Sequence, residues 1–321
     1  MEERPNNLLE ARKSAGLSRS KAADDLKVAP KTLYRYENGT QCPNVYVAIR
    51  LSEYYHRTVK NCSRQKMGSE QRKEALMSLW SPWHGCTKCS PGCRNCYVYR
   101  RDAEFGKDAS IVKKTASFNL PVKKDRRGNY KLKPEDGTVM TCFTSDFFHP
   151  DADAWRPEAW QMMRERHDLS FYFITKRPER FYEGLPADWG DGYENVHICC
   201  TCENQYQTDR RLPIFLNLPI RHKEIIHEPM LHEIHIEKYL EQYHDQIEGV
   251  SCGGESGEDA RLCDYGWIII TRMQCDEYGV PFHFHQTGSL FKKGSRIYHI
   301  DRKDQEEQAR KSGIDTPRSP I

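Results

Sequence analysis

Four cysteines, Cys86, Cys89, Cys93 and Cys96, fall within the eleven residues CTKCSPGCRNC. Thiolates are soft ligands, so this clustering points to zinc or to an iron–sulfur cluster rather than to a hard cation. Two C-x2-C pairs are a common zinc arrangement, but only Ser90-Pro91-Gly92 separates them here, where structural zinc sites usually carry a longer loop. Cys89, Cys93 and Cys96 also fit C-x3-C-x2-C, and three thiolates on a four-iron cluster leave one iron with an open coordination position. The expectation is a [4Fe-4S] centre, with a closed zinc knuckle as its alternative.

Such a centre needs a scaffold, and the sequence supplies a periodic one. Apolar, β-rich runs begin near Thr138, Leu169, Val196, Glu224, Val250 and Pro281, at intervals of 31, 27, 28, 26 and 31 residues. A further strand is expected just before Trp80, and helical patterns such as Trp155 to Arg166 and Trp267 to Tyr278 lie between the runs. This is the period of strand–loop–helix units winding in one direction, so an α/β fold is predicted, a parallel βα sheet curled into a full or partial barrel. The runs end in polar residues: Ser145-Asp146, Thr175-Lys176-Arg177, Thr201 with Glu203-Asn204, His227-Glu228, Gly253-Gly254-Glu255-Ser256 and Gln286-Thr287-Gly288. Taken singly, each is the composition of a helix cap or turn; in a barrel they converge on one mouth, where ligands bind. The cysteine loop follows the first strand and should open on that same mouth.

A chain of 321 residues suits two domains. Its net charge of +3 is unevenly placed: residues 1–65 hold 12 Lys+Arg against 7 Asp+Glu, a net of +5, and the remainder holds 37 against 39, a net of −2. A small basic N-terminal unit is what phosphate binding requires. The start of the sequence has no apolar secretory core and no run of about 18 apolar residues occurs, so no membrane partner is expected and a cytoplasmic location is. In a reducing compartment the 13 cysteines do not read as a disulfide framework. The expected layout is a DNA-binding domain over 1–65, a linker over 66–77 and a barrel domain over 78–321, with an inserted basic hairpin at 113–136 around Arg127-Gly128-Asn129. That hairpin reads as a solvated excursion or a nucleic-acid contact, and the tail from Asp315 as disordered.

Within the first domain, helices are expected over Leu8 to Ala15, from a Ser18 cap through Leu26, from Pro30 to about Glu37, and from Val45 to Tyr55, with Asn38-Gly39 closing the third. The stretch SRSKAADDLKVAPKTLYRYENGTQCP resembles the Cro/cI-type repressor family of helix-turn-helix domains over residues 6–58. The resemblance implies that the third helix enters the major groove, which directs Lys31, Thr32, Tyr34 and Arg35 toward DNA. Lys27 stands where such proteins usually have Gly; in a left-handed conformation it would cost about 1 kcal/mol.

The large domain resembles a phage- and mobile-element-associated family of unknown function, radical-SAM-like with a three-cysteine motif. The matching segments are SPWHGC, SPGCRNCYVYR, FTSDFFHP, FYFITKRPERF, DWGDGYENV, CTCENQ, HKEIIHEPML, GGESGEDARLCD and FHFHQTG, across residues 78–315. The resemblance implies a radical-SAM-type barrel that holds a [4Fe-4S] cluster and S-adenosylmethionine (SAM), cleaves SAM with an electron from a donor such as flavodoxin or ferredoxin, and acts on a substrate the sequence does not name. The family's C-x6-C-x2-C pattern maps onto Cys86, Cys93 and Cys96, whereas the first register uses Cys89, so the third ligand stays open between Cys86 and Cys89. For SAM the expected contacts are Tyr97 on the adenine and Asp146, Lys176, Glu255 and Ser256 at the strand ends. His285 stands where the family usually has Lys before Gln286.

Other signals carry less. His227-Glu228 followed by His232 has the wrong spacing for a zinc-protease helix, and Pro229 interrupts it. Cys199, Cys200 and Cys202 read as buried thiols in a strand, and no phosphate-cradling Gly-rich loop is present. The leading expectation is a radical-SAM-like enzyme delivered to DNA or regulated by its head; the rivals are an iron–sulfur or zinc-dependent regulator without turnover and a zinc-stabilised binding module.

Overall fold

The computed structural model describes residues 8–37, 47, 51, 54–55 and 77–316. Most of the expected fourth helix, the Asn38-Gly39 stop, residues 66–76 of the linker and the tail from 317 lie outside the described residues. The chain divides into two compact units, Met1–Arg72 and Lys73–Ile321.

The first unit contains α1 (Leu8–Ser14), α2 (Arg19–Asp25) and α3 (Pro30–Glu37). The Ser18 side chain caps α2 by accepting from the Lys21 amide at 3.2 Å. Ala22 and Ala23 are fully buried and let the helices cross closely over a core that includes Leu8, Leu26, Leu33 and Tyr36. Lys27 does adopt the left-handed conformation, with φ of 50°, so the turn carries the strain expected of a residue with a Cβ. Glu37 is buried and forms ion pairs with Arg12 and, at 3.0 Å, with Arg19, which ties α3 to the other two helices.

In the second unit the strands are β1 (Met77–Trp80), β2 (Trp83–His84), β3 (Lys113–Lys114), β4 (Thr138–Thr141), β5 (Phe171–Thr175), β6 (Val196–Thr201), β7 (His222–His227), β8 (Ile247–Gly253), β9 (Cys263–Asp264), β10 (Phe282–Gln286), β11 (Leu290–Lys293) and β12 (Arg296–His299). The helices are α4 (Tyr97–Glu104), α5 (Arg156–Glu165), α6 (Gln205–Phe215), α7 (Glu237–Tyr243), α8 (Tyr265–Tyr278) and α9 (Arg302–Lys311). Seven strands form one sheet in the order β1-β4-β5-β6-β7-β8-β10, every pair parallel. The sheet curls into a half-barrel, and no ladder joins β10 to β1 among the described residues. The fold is therefore mixed α/β with an open barrel, the partial form of the architecture that the spacing predicts.

Alternation within the strands sorts the two faces. On β5, Phe171 and Phe173 are fully buried beneath the helices while Tyr172 and Ile174 face a cavity. Phe147 stacks on Phe173 with ring centroids 4.5 Å apart and meets Trp160 edge-on at 4.7 Å, so an aromatic layer fixes α5 to the sheet. The basic insertion differs from the expected hairpin. Lys113 and Lys114 pair with Trp83 and His84 instead of with a return arm, and hairpin geometry is confined to the tip, where Lys124 bridges Tyr130. Asp125 draws that tip together by accepting from the amides of Arg127 at 2.7 Å and Asn129 at 3.0 Å. Its base is held by Arg166, which is buried and donates to the carbonyls of Leu132 at 2.9 Å and Pro121.

Candidate metal centre

The cysteine loop leaves β2 through Gly85, whose φ of 93° and lack of a Cβ are both required, because a Cβ there would meet the Ile111 carbonyl oxygen at 2.4 Å. The Cys86 amide then donates to the Ala109 carbonyl at 2.8 Å. From there distant strand ends hold the loop. Thr87 is gripped by the buried His149, whose Nε2 accepts from the Thr87 amide at 3.1 Å, and by Arg177, which donates to the Thr87 carbonyl at 2.7 Å. Glu203, fully buried after β6, accepts from the Gly92 amide at 3.0 Å and from Arg211 at 2.6 Å. Burial alone would push the Glu203 carboxyl up, but Arg211 and the donors of Ser90 and Gly92 outweigh it and hold it below the usual carboxylate range. A Cβ on Gly92 would press on this carboxylate at 3.0 Å, so glycine is what lets the loop approach. Arg261 donates to the Pro91 carbonyl at 2.9 Å, and Cys96 then leads into α4.

A cavity of about 590 Å³ opens at the carboxyl ends of the parallel strands, and Cys86, Cys93 and Cys96 line it together with Tyr97, Asp146, Lys176, Glu255 and Ser256. Cys89 is exposed and outside that lining, although its sulfur lies 4.0 Å from that of Cys93. The sulfurs differ in acidity. Cys93 is held well below the ordinary thiol range, chiefly by the hydrogen bond from Cys89 and then by the Lys176 ammonium, while the Cys89 thiol is pushed up by the same contact. Burial pushes Cys86 up to about 11, with Asp146 adding to the effect and Arg177, 3.6 Å from its sulfur, opposing it. Among the described residues no three cysteine sulfurs lie within 4.8 Å of one another. A tetrahedral zinc site needs sulfurs roughly 3.8 Å apart.

The polar residues expected to contact SAM share the cavity but are not equally available. Asp146 accepts from Thr175 Oγ1 and from the amides of Lys176 and Phe148, each at 2.9 Å, and pairs with Arg177 at 3.2 Å. Glu255 is bound through both oxygens by Arg261, at 2.6 and 2.8 Å, and also receives Asn95 at 3.0 Å. Ser256 donates to Gln286 at 2.9 Å or to Gln305 at 2.6 Å. Both carboxylates already hold a charged partner, Asp146 the Arg177 guanidinium and Glu255 that of Arg261. Among the described residues the Lys176 ammonium makes one long hydrogen bond, to Thr201 at 3.4 Å, and it lies near enough to Cys93 to favour its thiolate. His285 pairs with Glu228 at 2.7 Å on the far wall. The His227-Glu228 segment is the end of β7, followed by a cis Glu228-Pro229 bond, and not a helix. Cys199, Cys200 and Cys202 are fully buried.

Reasoning from the sequence alone missed His149, Glu203, Arg211, Asn95 and Arg261 as the residues that hold the loop. Glu203 stood among the polar strand ends, and His149 and Arg261 stood within segments of the family resemblance; the pairings themselves have no sequence signal.

On α3, Lys31, Tyr34 and Arg35 are exposed and Thr32 is half-buried, while Leu33 and Tyr36 face the core. Arg19 covers the Tyr34 ring at 4.8 Å, extending the basic surface onto α2.

A family described as "Protein of unknown function (DUF5131)" matches residues 72–314. The chain belongs to this family. Residues 8–60 match a family described as "Helix-turn-helix", so the protein joins a DNA-binding helix-turn-helix head to a DUF5131 domain. No match was found among curated proteins or among solved structures. No helix among the described residues is long and apolar enough to cross a membrane.

Proposed function

We propose that the DUF5131 domain of this protein is an iron–sulfur enzyme that uses SAM, with Cys86, Cys93 and Cys96 as cluster ligands and the helix-turn-helix head bringing it to DNA or regulating it. The observation that carries the reading is the gathering of three cysteines and Lys176 around one cavity at the carboxyl mouth of a parallel half-barrel. The residues present fit a cluster, because three thiolates on the cavity wall can hold four irons and leave one of them open. They also favour the C-x6-C-x2-C register, since Cys89 is outside the cavity lining.

With a cluster bound, the open iron would hold the amino-acid end of SAM and deliver the electron that cleaves it. The chain's own residues do the rest. Arg177 and Lys176 offset the negative charge of the thiolates. Glu203, His149 and Arg261 fix the loop, and Asp146 and Glu255 act by orienting Arg177 and Arg261. Lys176 is left to meet the carboxylate of SAM, and Tyr97, at the start of α4, to pack on its adenine. A donor of the flavodoxin or ferredoxin kind supplies the electron.

The test uses the full chain, reconstituted anaerobically and chemically reduced. Adding SAM should perturb the cluster spectrum and slowly yield 5′-deoxyadenosine, with Lys176→Ala weakening SAM binding at least 10-fold while the cluster survives. A fully loaded, reduced cluster that neither responds to SAM nor yields 5′-deoxyadenosine would transfer the case to a regulator without turnover.

A further inference from the structure

At the opposite end of the half-barrel from the cysteines lies a second group of metal-ligating side chains. His197 is the second residue of β6 and His222 the first of β7, and the two are register partners. By alternation they share the face of Thr201 and Glu224, which line the cavity, so both belong to the concave side at the amino ends of the strands. The third member comes from an irregularity. Lys223 pairs with Ile247 but Glu224 pairs with Gly249, which makes Glu248 the extra residue of a bulge. Bulges re-aim side chains, and this one brings the Glu248 carboxylate beneath both imidazoles. The rings are stacked with centroids 4.2 Å apart, and Glu248 stands 2.5 Å from His222 Nδ1 and 3.6 Å from His197 Nδ1.

From this geometry we infer that His197, His222 and Glu248 form a second metal site, for a divalent transition ion of the zinc type, at the floor of the half-barrel. One donor atom from each residue lies within 4.8 Å of the others, and no other group among the described residues meets that condition. Two imidazoles and a carboxylate are the three-ligand set of open zinc sites, with a position left for water. The side chains are 14 to 30 % exposed, dry enough to strengthen the attraction and open enough for an ion to enter. Among the described residues His222 Nε2 is buried with no hydrogen-bond partner, and Glu194 Oε2 stands 3.6 Å from it. That placement is what a ligating histidine uses: one nitrogen on the ion, and the other N–H turned to a carboxylate that fixes the ring. The three ligands come from adjacent strands of one sheet, which sets their spacing before any ion arrives. This site does not depend on the cysteine centre.

The probe is Zn2+ alone, counted per chain by competition with a chromophoric chelator, in full-length protein and in His222→Gln and Glu248→Gln variants that share the intact cysteine loop. The unaltered chain should bind one equivalent more than either variant, and Glu194→Gln should weaken that equivalent by about 10-fold. Equal stoichiometry in all three chains would overturn the site. Should the variants not fold, the unaltered chain with its accessible thiols alkylated gives the answer: added Co2+ should show the visible bands of a low-coordinate nitrogen and oxygen site, and a spectrum of hydrated cobalt alone would overturn the proposal.

Discussion

The recognition helix and the cysteine loop each present chemistry on a stretch of about ten residues, yet they are fixed in opposite ways. Helix α3 is set by its own residues: Pro30 starts it, Leu33 and Tyr36 anchor one side, and Lys31, Tyr34 and Arg35 fall on the other by the 3.6 period. The cysteine loop has almost no regular structure. It is held by Glu203, 111 residues from Gly92, and by Arg261, 170 residues from Pro91. A helix can thus display side chains once its inner face is buried, whereas a thiolate loop needs distant strand ends of the half-barrel to be in place before its sulfurs take theirs.

If that contrast is right, substitutions far from the loop should damage it, and those within α3 should stay local. The largest effect is expected from Glu203→Ala, which strands the buried Arg211 guanidinium and frees the Gly92 amide. It should destabilise the large domain by about 3–5 kcal/mol and lower iron incorporation on reconstitution; chemical denaturation with iron analysis measures both, and unchanged values would show that the loop holds itself. A smaller and confined effect is expected at the head. Replacing Lys31 and Arg35 together by Ala should leave the cluster intact and reduce the slope of log K against log salt for duplex DNA by about 0.9 per lost phosphate contact. An unchanged slope would remove α3 from the DNA interface. The smallest concerns Lys27, left-handed at φ 50°. Lys27→Gly should stabilise the head by up to about 1 kcal/mol, seen as a higher midpoint for the head's transition in full-length protein, and a loss of stability would mean that the strained turn is compensated by its side chain.

The same contrast explains what could be read in the sequence. The periodic starts at Thr138, Leu169, Val196, Glu224, Val250 and Pro281 lie within three residues of β4, β5, β6, β7, β8 and β10, because buried parallel strands are apolar runs with little competing pattern. Helices α5 and α8 were legible as the helical patterns lying between those runs. The insertion was misjudged because charge and a Gly-Asn turn mark only the tip, and whether Lys113 pairs across the turn or with His84 is decided by a contact far back along the chain. The cysteines announced themselves, but two registers fit the spacing; only burial, which sets Cys89 apart from Cys86, bears on the choice. Asp146 and Glu255 were recognisable as polar strand ends, yet whether such a carboxylate meets a ligand or an arginine depends on where Arg177 and Arg261 fold back. Glu248 was invisible, since a single bulge leaves no mark in composition.

The central claim is that three thiolates, from Cys86, Cys93 and Cys96, hold a cluster whose remaining iron is open to SAM. Electron paramagnetic resonance of the reduced, reconstituted Cys89→Ser protein, recorded with and without SAM, tests it most directly. The account predicts a cluster signal of wild-type intensity that SAM shifts, and no such signal in the Cys86→Ser protein. Loss of the cluster in Cys89→Ser with survival in Cys86→Ser, or a cluster in Cys89→Ser that ignores SAM, would contradict it.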